Sequence, residues 1–138
     1  MTTAALAAQE QQQGPRRIAQ YIYLQPGSEA AYRECHAKVW PKVLEQIKDS
    51  NIEDYSINII PSPSPSSTTT HHPIILVATF KYTGTSYSAD MARMAANETV
   101  QEWWNMTDAM QVSPVEGATG SMGEKGWWGQ CEEVFRLE

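Results

Sequence analysis

The residues best suited to chemistry are Tyr32, His36 and Trp40, which are spaced at i, i+4 and i+8. On a helix this spacing stacks the three side chains along one face. The same face continues with Cys35, Val39, Val43 and Ile47. The pattern predicts that His36 lies within a stripe facing the core. An imidazole between two aromatic rings is either a buried structural group or a proton donor in a pocket, and the segment alone leaves both interpretations open.

The second candidate feature is the pair Trp103-Trp104. Adjacent residues on a helix point about 100° apart, so at most one of the two lies deep in the core. The chain has five tryptophans, four of them in doublets, which is more than an ordinary core requires. Indole faces pack well against the C–H face of a pyranose ring. The pair therefore indicates either a sugar site or a core residue beside an interface residue.

Tyr55 is the third candidate because it follows the first predicted helix closely. If its side chain points to the helix face of the sheet, its hydroxyl approaches the His36 pocket; otherwise it is an amphipathic residue at a strand end. His71 and His72 are adjacent in a predicted loop and lack further ligands at regular spacing, so no metal site is expected. The chain contains no GxGxxG, P-loop, GxSxG or CxxC motif, which argues against nucleotide and acyl-enzyme chemistry.

The charge balance limits the partners. Ten Lys and Arg against sixteen Asp and Glu give the 138-residue chain a net charge of −6 with no basic cluster, which argues against nucleic acid and anionic membranes as partners. No apolar run is long enough to span a membrane, and the N-terminus lacks the features of a signal peptide. Cys35 and Cys131 are expected to be reduced thiols. These features predict a cytoplasmic protein.

The hydrophobic pattern outlines the elements that must position these residues. Residues 1–14 are predicted to be a disordered tail, and residues 15–138 a single domain. The pattern along this domain predicts a strand at 16–25, a helix from the N-cap Ser28 to about Asp49, strands at 55–60 and 74–82, a helix at 89–97, a short helix after it and a last strand from Cys131 to Leu137. Between these elements, 61–72 is predicted to be a low-complexity flexible loop and 113–129 an irregular loop.

Two local signals refine the helices. Pro41 lies inside the first helical stretch, where it either causes a kink after Trp40 or opens a second helix as its first residue. Thr99-Val100-Gln101-Glu102 fits a capping box, with Thr99 as the cap and Glu102 bonding back. This box predicts the start of the short helix that carries the tryptophan pair.

The predicted order is strand, helix, strand, strand, helix, strand. Two split βαβ units of this kind close into a four-stranded antiparallel sheet with both helices on one face, the ferredoxin-like α+β arrangement. The opposite face of the sheet would be exposed, and strands one and three have apolar residues on both faces, which makes that exposure costly. A homodimer that joins sheet to sheet, of the dimeric α+β barrel type, is therefore predicted.

Taken together, four blocks of the sequence are distinctive: Tyr32-x-x-x-His36-x-x-x-Trp40-Pro41, Tyr55-Ser56-Ile57, Trp103-Trp104 followed by Met106-Thr107-Asp108, and Glu133-Val134-Phe135-x-Leu137. Their order and spacing resemble the L-rhamnose mutarotase family, over residues 16–137. The resemblance implies the same dimeric fold and an enzyme that interconverts the α and β anomers of L-rhamnose without metal or organic cofactor. It further implies that His36 is the proton donor and that the sugar is bound by Tyr32, Tyr55, Trp103 and Trp104.

The chemistry is compatible with that assignment. Mutarotation needs a proton delivered to the ring oxygen while another leaves the anomeric hydroxyl, after which the open aldehyde rotates and recloses. One group with a pKa near neutrality can act as acid in opening and as base in closing, and histidine is such a group. The methyl group of a 6-deoxy sugar is accommodated better by an aromatic wall than by a polar one.

This chain departs from the family pattern in three places. Between Trp104 and Met106 it is one residue shorter, which leaves Asp108 without an assigned role. The loop at 61–72 is longer, and the loop at 113–129 is expanded by a segment that includes Trp127-Trp128. A loop folded over the pocket would change the sugar that is accepted or close the site.

Two alternatives to a mutarotase stay open at this point. Dimeric ferredoxin-like proteins also include small monooxygenases, isomerases and haem-handling enzymes that use the same cleft between helices and sheet. Expanded loops could also leave a sugar-binding module without catalytic activity.

Overall fold

The computed structural model describes residues 16–61 and 73–138. The predicted tail at 1–14 and most of the predicted loop at 61–72 lie outside the described residues. The elements are β1 (Arg16–Leu24), α1 (Glu29–Ala37), α2 (Pro41–Asp49), β2 (Ile52–Ile60), β3 (Ile74–Tyr82), α3 (Tyr87–Ala96), α4 (Glu98–Asp108), β4 (Gln111–Val112) and β5 (Gly129–Gln130). None of the helices described is long and apolar enough to cross a membrane.

The strands form one antiparallel sheet in the order β2-β3-β1-β4, with β5 paired to β1 beside β4. This is the strand order of the ferredoxin-like arrangement, so the predicted fold class is confirmed. Successive side chains on a strand point to opposite faces. One face of β1 and β3 is buried under side chains from all four helices, through Ile18, Ile22, Leu24, Leu76, Ala78 and Phe80.

The first helical stretch is two helices rather than one kinked helix. Pro41 is the first residue of α2, and Trp40 before it is extended with φ −61° and ψ 134°. Proline suits this position because the first amide of a helix has no partner within the helix. Ser28 occupies the position before α1 but makes no side-chain hydrogen bond to it. Of the two interpretations of Pro41, a new helix start is therefore the one observed.

The predicted capping box at Thr99 is wrong by two residues. Asn97 caps α4, and its Oδ1 accepts hydrogen bonds from the amides of Thr99 at 3.0 Å and Val100 at 3.3 Å. The reason is the backbone of Asn97, which is extended with φ −76° and ψ 116°. Thr99 already lies within the first turn, where its hydroxyl cannot reach the free amides of the helix start.

The predicted last strand from Cys131 to Leu137 is also wrong. The sheet ends with β5, and the amide of Cys131 makes one further backbone hydrogen bond, to the carbonyl of Ala19 at 2.9 Å. A strand needs a neighbouring edge to pair with, and after Cys131 the terminal segment pairs with no strand in the described part of the chain. Its apolar side chains are therefore exposed: Val134 at 99 %, Phe135 at 83 % and Leu137 at 86 %.

Candidate active site

The centre of the site is the pair Tyr32 and His36 on α1. Their rings stack with centroids 4.1 Å apart and planes 27° from parallel. The Nδ1 atom of His36 lies 2.8 Å from the carbonyl oxygen of Tyr32. A carbonyl oxygen can only accept, so Nδ1 bears the proton in this bond. The Nε2 atom is then the nitrogen that can accept a proton from another molecule.

The protonation of His36 follows from its surroundings. Burial lowers the pKa of His36, and its hydrogen bond to the Tyr32 carbonyl offsets this only in part. Burial also raises the pKa of the neighbouring Cys35 thiol, whose Sγ lies 3.2 Å from Nδ1. At neutral pH the site therefore holds a neutral imidazole beside a neutral thiol.

The tryptophan pair divides in the way that helix geometry predicts. Trp103 is 6 % exposed and packs edge-on against His36, with ring centroids 5.2 Å apart. Trp40 also packs edge-on against Trp103, again with ring centroids 5.2 Å apart. Trp104 points elsewhere on the helix and is only partly buried. Trp103 thus supports the imidazole from α4, while Trp104 presents an indole with part of its surface accessible.

A β-bulge in β2 places Tyr55 on the helix face of the sheet. Glu53 pairs with Lys81 and Ser56 with Thr79, so β2 has one residue more than β3 across this interval. Asp54 takes up the extra residue with a φ of 50°. The bulge reverses the alternation of side chains, and the ring of Tyr55 stacks on Phe80 with centroids 5.5 Å apart.

The hydroxyl of Tyr55 stays protonated at neutral pH. Burial raises the pKa of Tyr55 to about 12, although 39 % of the residue surface is exposed. A phenol with this pKa exchanges hydrogen bonds but does not lose its proton near neutrality. Tyr55 can therefore orient a polar ligand without acting as an acid or base.

A cavity of about 950 Å³ brings most of the predicted residues together. Its wall includes His36, Tyr55, Trp103 and Trp104. Tyr32 is 3 % exposed and does not line this cavity, but together with Arg33 and Asn58 it lines a second one of about 470 Å³. His36 contributes to both walls. The imidazole thus lies between the two cavities, and Tyr32 lies on the side of the smaller one.

The expanded loop at 113–129 forms part of the wall of the larger cavity without filling it. Ser121, Met122, Trp127 and Trp128 all line the space that His36 faces. Asp108, which had no assigned role, holds this loop: its carboxylate accepts from the amide of Ser121 at 2.8 Å and from the hydroxyl at 2.6 Å. The cavity remains open at a size typical of small-molecule sites.

Sequence reasoning missed Gln111. Its Nε2 donates to the hydroxyl of Tyr32 at 3.2 Å, and its Oε1 accepts from Nε1 of Trp127 at 2.8 Å. These partners are 79 and 16 residues away along the chain. No local pattern signals such a contact. Trp127 alone carried a hint, since an indole in a polar, Gly-rich loop must find a hydrogen-bond partner when it is buried.

The described residues contain no group of three or more His, Cys, Asp or Glu that could hold a metal ion. His71 and His72 lie outside the described residues. The predicted reduced state of the cysteines agrees with the structure, in which Cys35 and Cys131 are both free thiols.

Comparison with known proteins identifies the family. The profile described as L-rhamnose mutarotase matches residues 17–137. The chain belongs to the L-rhamnose mutarotase family. An L-rhamnose mutarotase of Formosa agariphila is 36 % identical over 123 residues, covering 88 % of this chain and 98 % of that protein. One of Phocaeicola vulgatus is 35 % identical over 100 residues, covering 72 % of this chain and 84 % of that protein.

A solved structure supports the same assignment. The crystal structure of an L-rhamnose mutarotase from Formosa agariphila aligns with a TM-score of 0.58 and 26 % sequence identity, covering 89 % of this chain and 99 % of that chain. The predicted resemblance to the L-rhamnose mutarotase family is therefore confirmed, and with it the assignment of the chain as an isomerase of carbohydrate anomers. The monooxygenase alternative has no support from these relatives.

Proposed function

We propose that this protein interconverts the α and β anomers of L-rhamnose, or of a closely related 6-deoxy aldose, with His36 as the proton-transfer residue and without metal or organic cofactor. The observation that carries the proposal is the position of His36. Its imidazole has one nitrogen bonded to the Tyr32 carbonyl and lines a cavity that Tyr55 and Trp104 also line.

Ring opening needs a base at the anomeric hydroxyl and a proton at the ring oxygen. The neutral imidazole takes the anomeric proton at Nε2, and the imidazolium that results delivers a proton to the ring oxygen; closing reverses these steps. Because burial lowers the pKa of His36, the imidazolium is an efficient donor and the base form is regenerated readily at neutral pH. Proton transfer of this kind contributes about 10²–10⁴-fold to a rate.

The other predicted residues hold the sugar or hold His36. Tyr55 keeps its proton and can donate a hydrogen bond to a sugar oxygen. The accessible indole of Trp104 offers a flat face to the C–H side of the pyranose. Trp103 and Tyr32 are buried against the imidazole, so we propose that they contribute to binding chiefly by fixing its direction. Fixing a reacting group in place is itself a major source of rate acceleration.

We also propose that the protein is a homodimer. The face of the sheet away from the helices has two apolar cross-strand pairs, Tyr21–Val77 and Tyr23–Ile75. The exposed apolar residues of the terminal segment add to the surface that a partner would cover. A surface of this kind is unusual on a soluble monomer. A cytoplasmic location remains a prediction, and the two free thiols are compatible with a reducing compartment.

The test is NMR saturation transfer between the α and β anomeric protons of L-rhamnose. Purified protein, dialysed against a chelator, is expected to raise the exchange rate in proportion to its concentration. L-Mannose, which has a hydroxyl where rhamnose has its terminal methyl hydrogen, is the matched comparison and is expected to exchange more slowly because the aromatic wall desolvates that hydroxyl. Unchanged exchange of every 6-deoxy aldose tried would refute the proposal.

A further inference from the structure

We propose that Gln111 is a positioning residue of the sugar site, which holds the Tyr32–His36 stack and the loop at 113–129 in one fixed arrangement. This inference rests on the proposed function, since it concerns the same site. Gln111 begins β4, three residues after the end of α4, and is 4 % exposed. Its side chain therefore connects partners that come from α1 and from the loop.

The orientation of the Gln111 carboxamide is determined by its partner in the loop. The indole nitrogen of Trp127 can only donate, so the atom 2.8 Å from it must be the oxygen, Oε1. The amide nitrogen then faces the hydroxyl of Tyr32 and donates to it at 3.2 Å. A side chain at this position must accept on one side and donate on the other. Glutamine does both, whereas a carboxylate only accepts and a thioether does neither strongly.

This bond fixes the ring that supports the imidazole. Tyr32 is held at its hydroxyl by Gln111 and at its face by His36, 4.1 Å away. Burial raises the pKa of Tyr32 far above neutrality, so the phenol stays neutral and the bond keeps its direction. Any tilt of the phenol would also tilt the imidazole stacked on it, and with it the direction of Nε2.

The same carboxamide restrains the wall of the cavity. Trp127 lines the cavity, and its backbone carbonyl accepts a hydrogen bond from the Ser113 hydroxyl. Among the described residues, the hydrogen bonds of Asp108 with Ser121 and of Gln111 with Trp127 tie the loop to α4 and β4. Only the second leads on to the catalytic stack. A sugar that packs against the loop is thereby placed in register with His36.

The decisive variant is Gln111→Glu. The carboxylate keeps the shape and still accepts from Trp127, but it reverses the bond to Tyr32, which must now donate. Above the pKa of the new carboxyl, which burial raises, it also places a negative charge next to the stack. Within the described residues, the groups in contact with the imidazole are Tyr32, Cys35 and Trp103, all neutral near pH 7. Arg33 on the same helix is paired with Glu29 at 3.1 Å, and the charged residues that line the larger cavity with His36 are Lys48, Glu53 and Asp54. A charge introduced at position 111, bonded to Tyr32, is therefore expected to change the electrostatics at the stack.

We expect Gln111→Glu to lower kcat roughly 3- to 10-fold, about the effect of one hydrogen bond, because the reversed bond makes the Tyr32 hydroxyl turn its hydrogen toward the carboxylate. The acidic limb of the pH profile should move to higher pH, because a nearby carboxylate favours the imidazolium. Trp127→Phe removes only the loop-side bond, so it should raise KM with little change in kcat. Gln130→Glu adds the same charge at an exposed position of β5 and is expected to leave both parameters unchanged.

Two results would overturn the proposal. One is a folded Gln111→Glu protein, checked by near-UV circular dichroism, whose kcat and pH profile equal those of the wild type. The other is a Gln130→Glu protein whose kcat and pH profile change as much as those of Gln111→Glu. That result would attribute the change to the net charge of the protein rather than to the contact at Gln111.

A second measurement tests the Gln111–Trp127 hydrogen bond without using activity. It remains informative if the wild type does not speed anomer exchange, a result that would refute the proposed function but not this hydrogen bond. The indole N–H resonance of Trp127 should be protected from hydrogen exchange in the wild type and lose that protection in Gln111→Met. An unprotected indole N–H in the wild type would show that the bridge does not form.

Discussion

The imidazole of His36 stacks on the phenol of Tyr32, and its Nδ1 donates to the carbonyl of that same residue, 2.8 Å away. One residue, a helical turn earlier, thus sets the plane, the tautomer and the direction of the ring. The orientation is secured by backbone geometry as well as by packing, and it leaves Nε2 as the nitrogen that can accept a proton. The consequences of this arrangement can be tested directly.

Replacing His36 removes the group that we propose transfers the proton. His36→Gln is expected to reduce enzyme-catalysed anomer exchange by about 10²–10⁴-fold, since an amide cannot take up the anomeric proton. NMR saturation transfer with L-rhamnose measures the effect. Lys38→Gln, at an exposed position just after α1, is the matched control and should behave as the wild type. Activity that survives in His36→Gln would assign the proton transfer to another group.

The pH dependence follows from the lowered pKa of His36. In the proposed mechanism the neutral imidazole is the base, so activity should be lost as the pH falls through its pKa in the folded protein. We expect the midpoint of the acidic limb of kcat/KM to lie below about 6.5, the value for a free histidine. The exchange rate is measured at fixed ionic strength from about pH 4.5, two units below the free-histidine value, to about pH 8. A midpoint above 7, about half a unit over the free value, would contradict the burial of the ring.

The bulge in β2 predicts an asymmetric response at Asp54. This residue has a φ of 50°, a region that glycine adopts freely and β-branched residues avoid. Asp54→Gly should keep both activity and fold, whereas Asp54→Ile should destabilise the protein by about 1–3 kcal/mol and lower kcat/KM by displacing Tyr55. Urea unfolding and exchange rates give the two quantities.

Tyr55→Phe tests the hydroxyl of Tyr55 separately from the position of its ring. It keeps the ring that stacks on Phe80 and removes the hydroxyl alone, so it should raise KM without destabilising the fold. If Asp54→Ile and Asp54→Gly prove equally active, the bulge does not position Tyr55.

The proposed dimer can be disrupted from the open face of the sheet. Val77→Glu places a charge opposite Tyr21 in the register of β1 and β3. Burying an unpaired carboxylate at an interface is strongly unfavourable, so sedimentation equilibrium should show a monomer. Ala96→Glu, exposed at the end of α3, is the control and should remain a dimer. A wild-type protein that sediments as a monomer at micromolar concentration would remove the basis for the proposal.

Asp90 is expected to make stability depend on pH. Burial acts to raise the pKa of Asp90, but hydrogen bonds from Tyr82, Asn51 and Arg93 outweigh it and lower the pKa. The hydroxyl of Tyr82 lies 2.6 Å from the carboxylate. Because the pKa is lowered, the stabilisation that ionised Asp90 provides is complete above the pKa of about 4 in the unfolded chain. It is lost as the pH falls through the lower pKa in the folded protein.

Asp90→Asn tests this assignment. The variant should lose about 1–3 kcal/mol of unfolding free energy at pH 7. Its deficit relative to the wild type should begin to shrink below about pH 4, where the unfolded chain takes up the proton first, and should vanish only below the lower pKa of the folded protein. Urea unfolding at several pH values measures both. Glu124→Gln, which is exposed, serves as the control for the loss of a charge. If the unfolding free energies of the variant and the wild type differ by the same amount at neutral and acidic pH, the charge on Asp90 does not stabilise the fold.

The sequence by itself determined the parts of this protein that depend on short-range periodicity. The spacing of Tyr32 and His36 was enough to predict a stacked pair, because residues four apart on a helix are neighbours. The division of Trp103 and Trp104 between core and cleft followed from the 100° step between adjacent residues. The strand order followed from the sequence of elements, since split βαβ units close in few ways.

Only the tertiary structure decided the contacts between distant segments. Nothing near Gln111 indicates that its amide bridges Tyr32 and Trp127, and nothing near Asp108 indicates that it holds Ser121. The face to which Tyr55 points depends on one extra residue in β2, which becomes visible only against the register of β3.

The terminal segment fails as a prediction for a related reason. Its alternation is that of a strand, but a strand exists only when a second edge pairs with it, and no described strand of this chain pairs with the segment beyond Cys131. Local pattern determines what a segment can become, while the arrangement of the other segments determines which of its possible partners it meets.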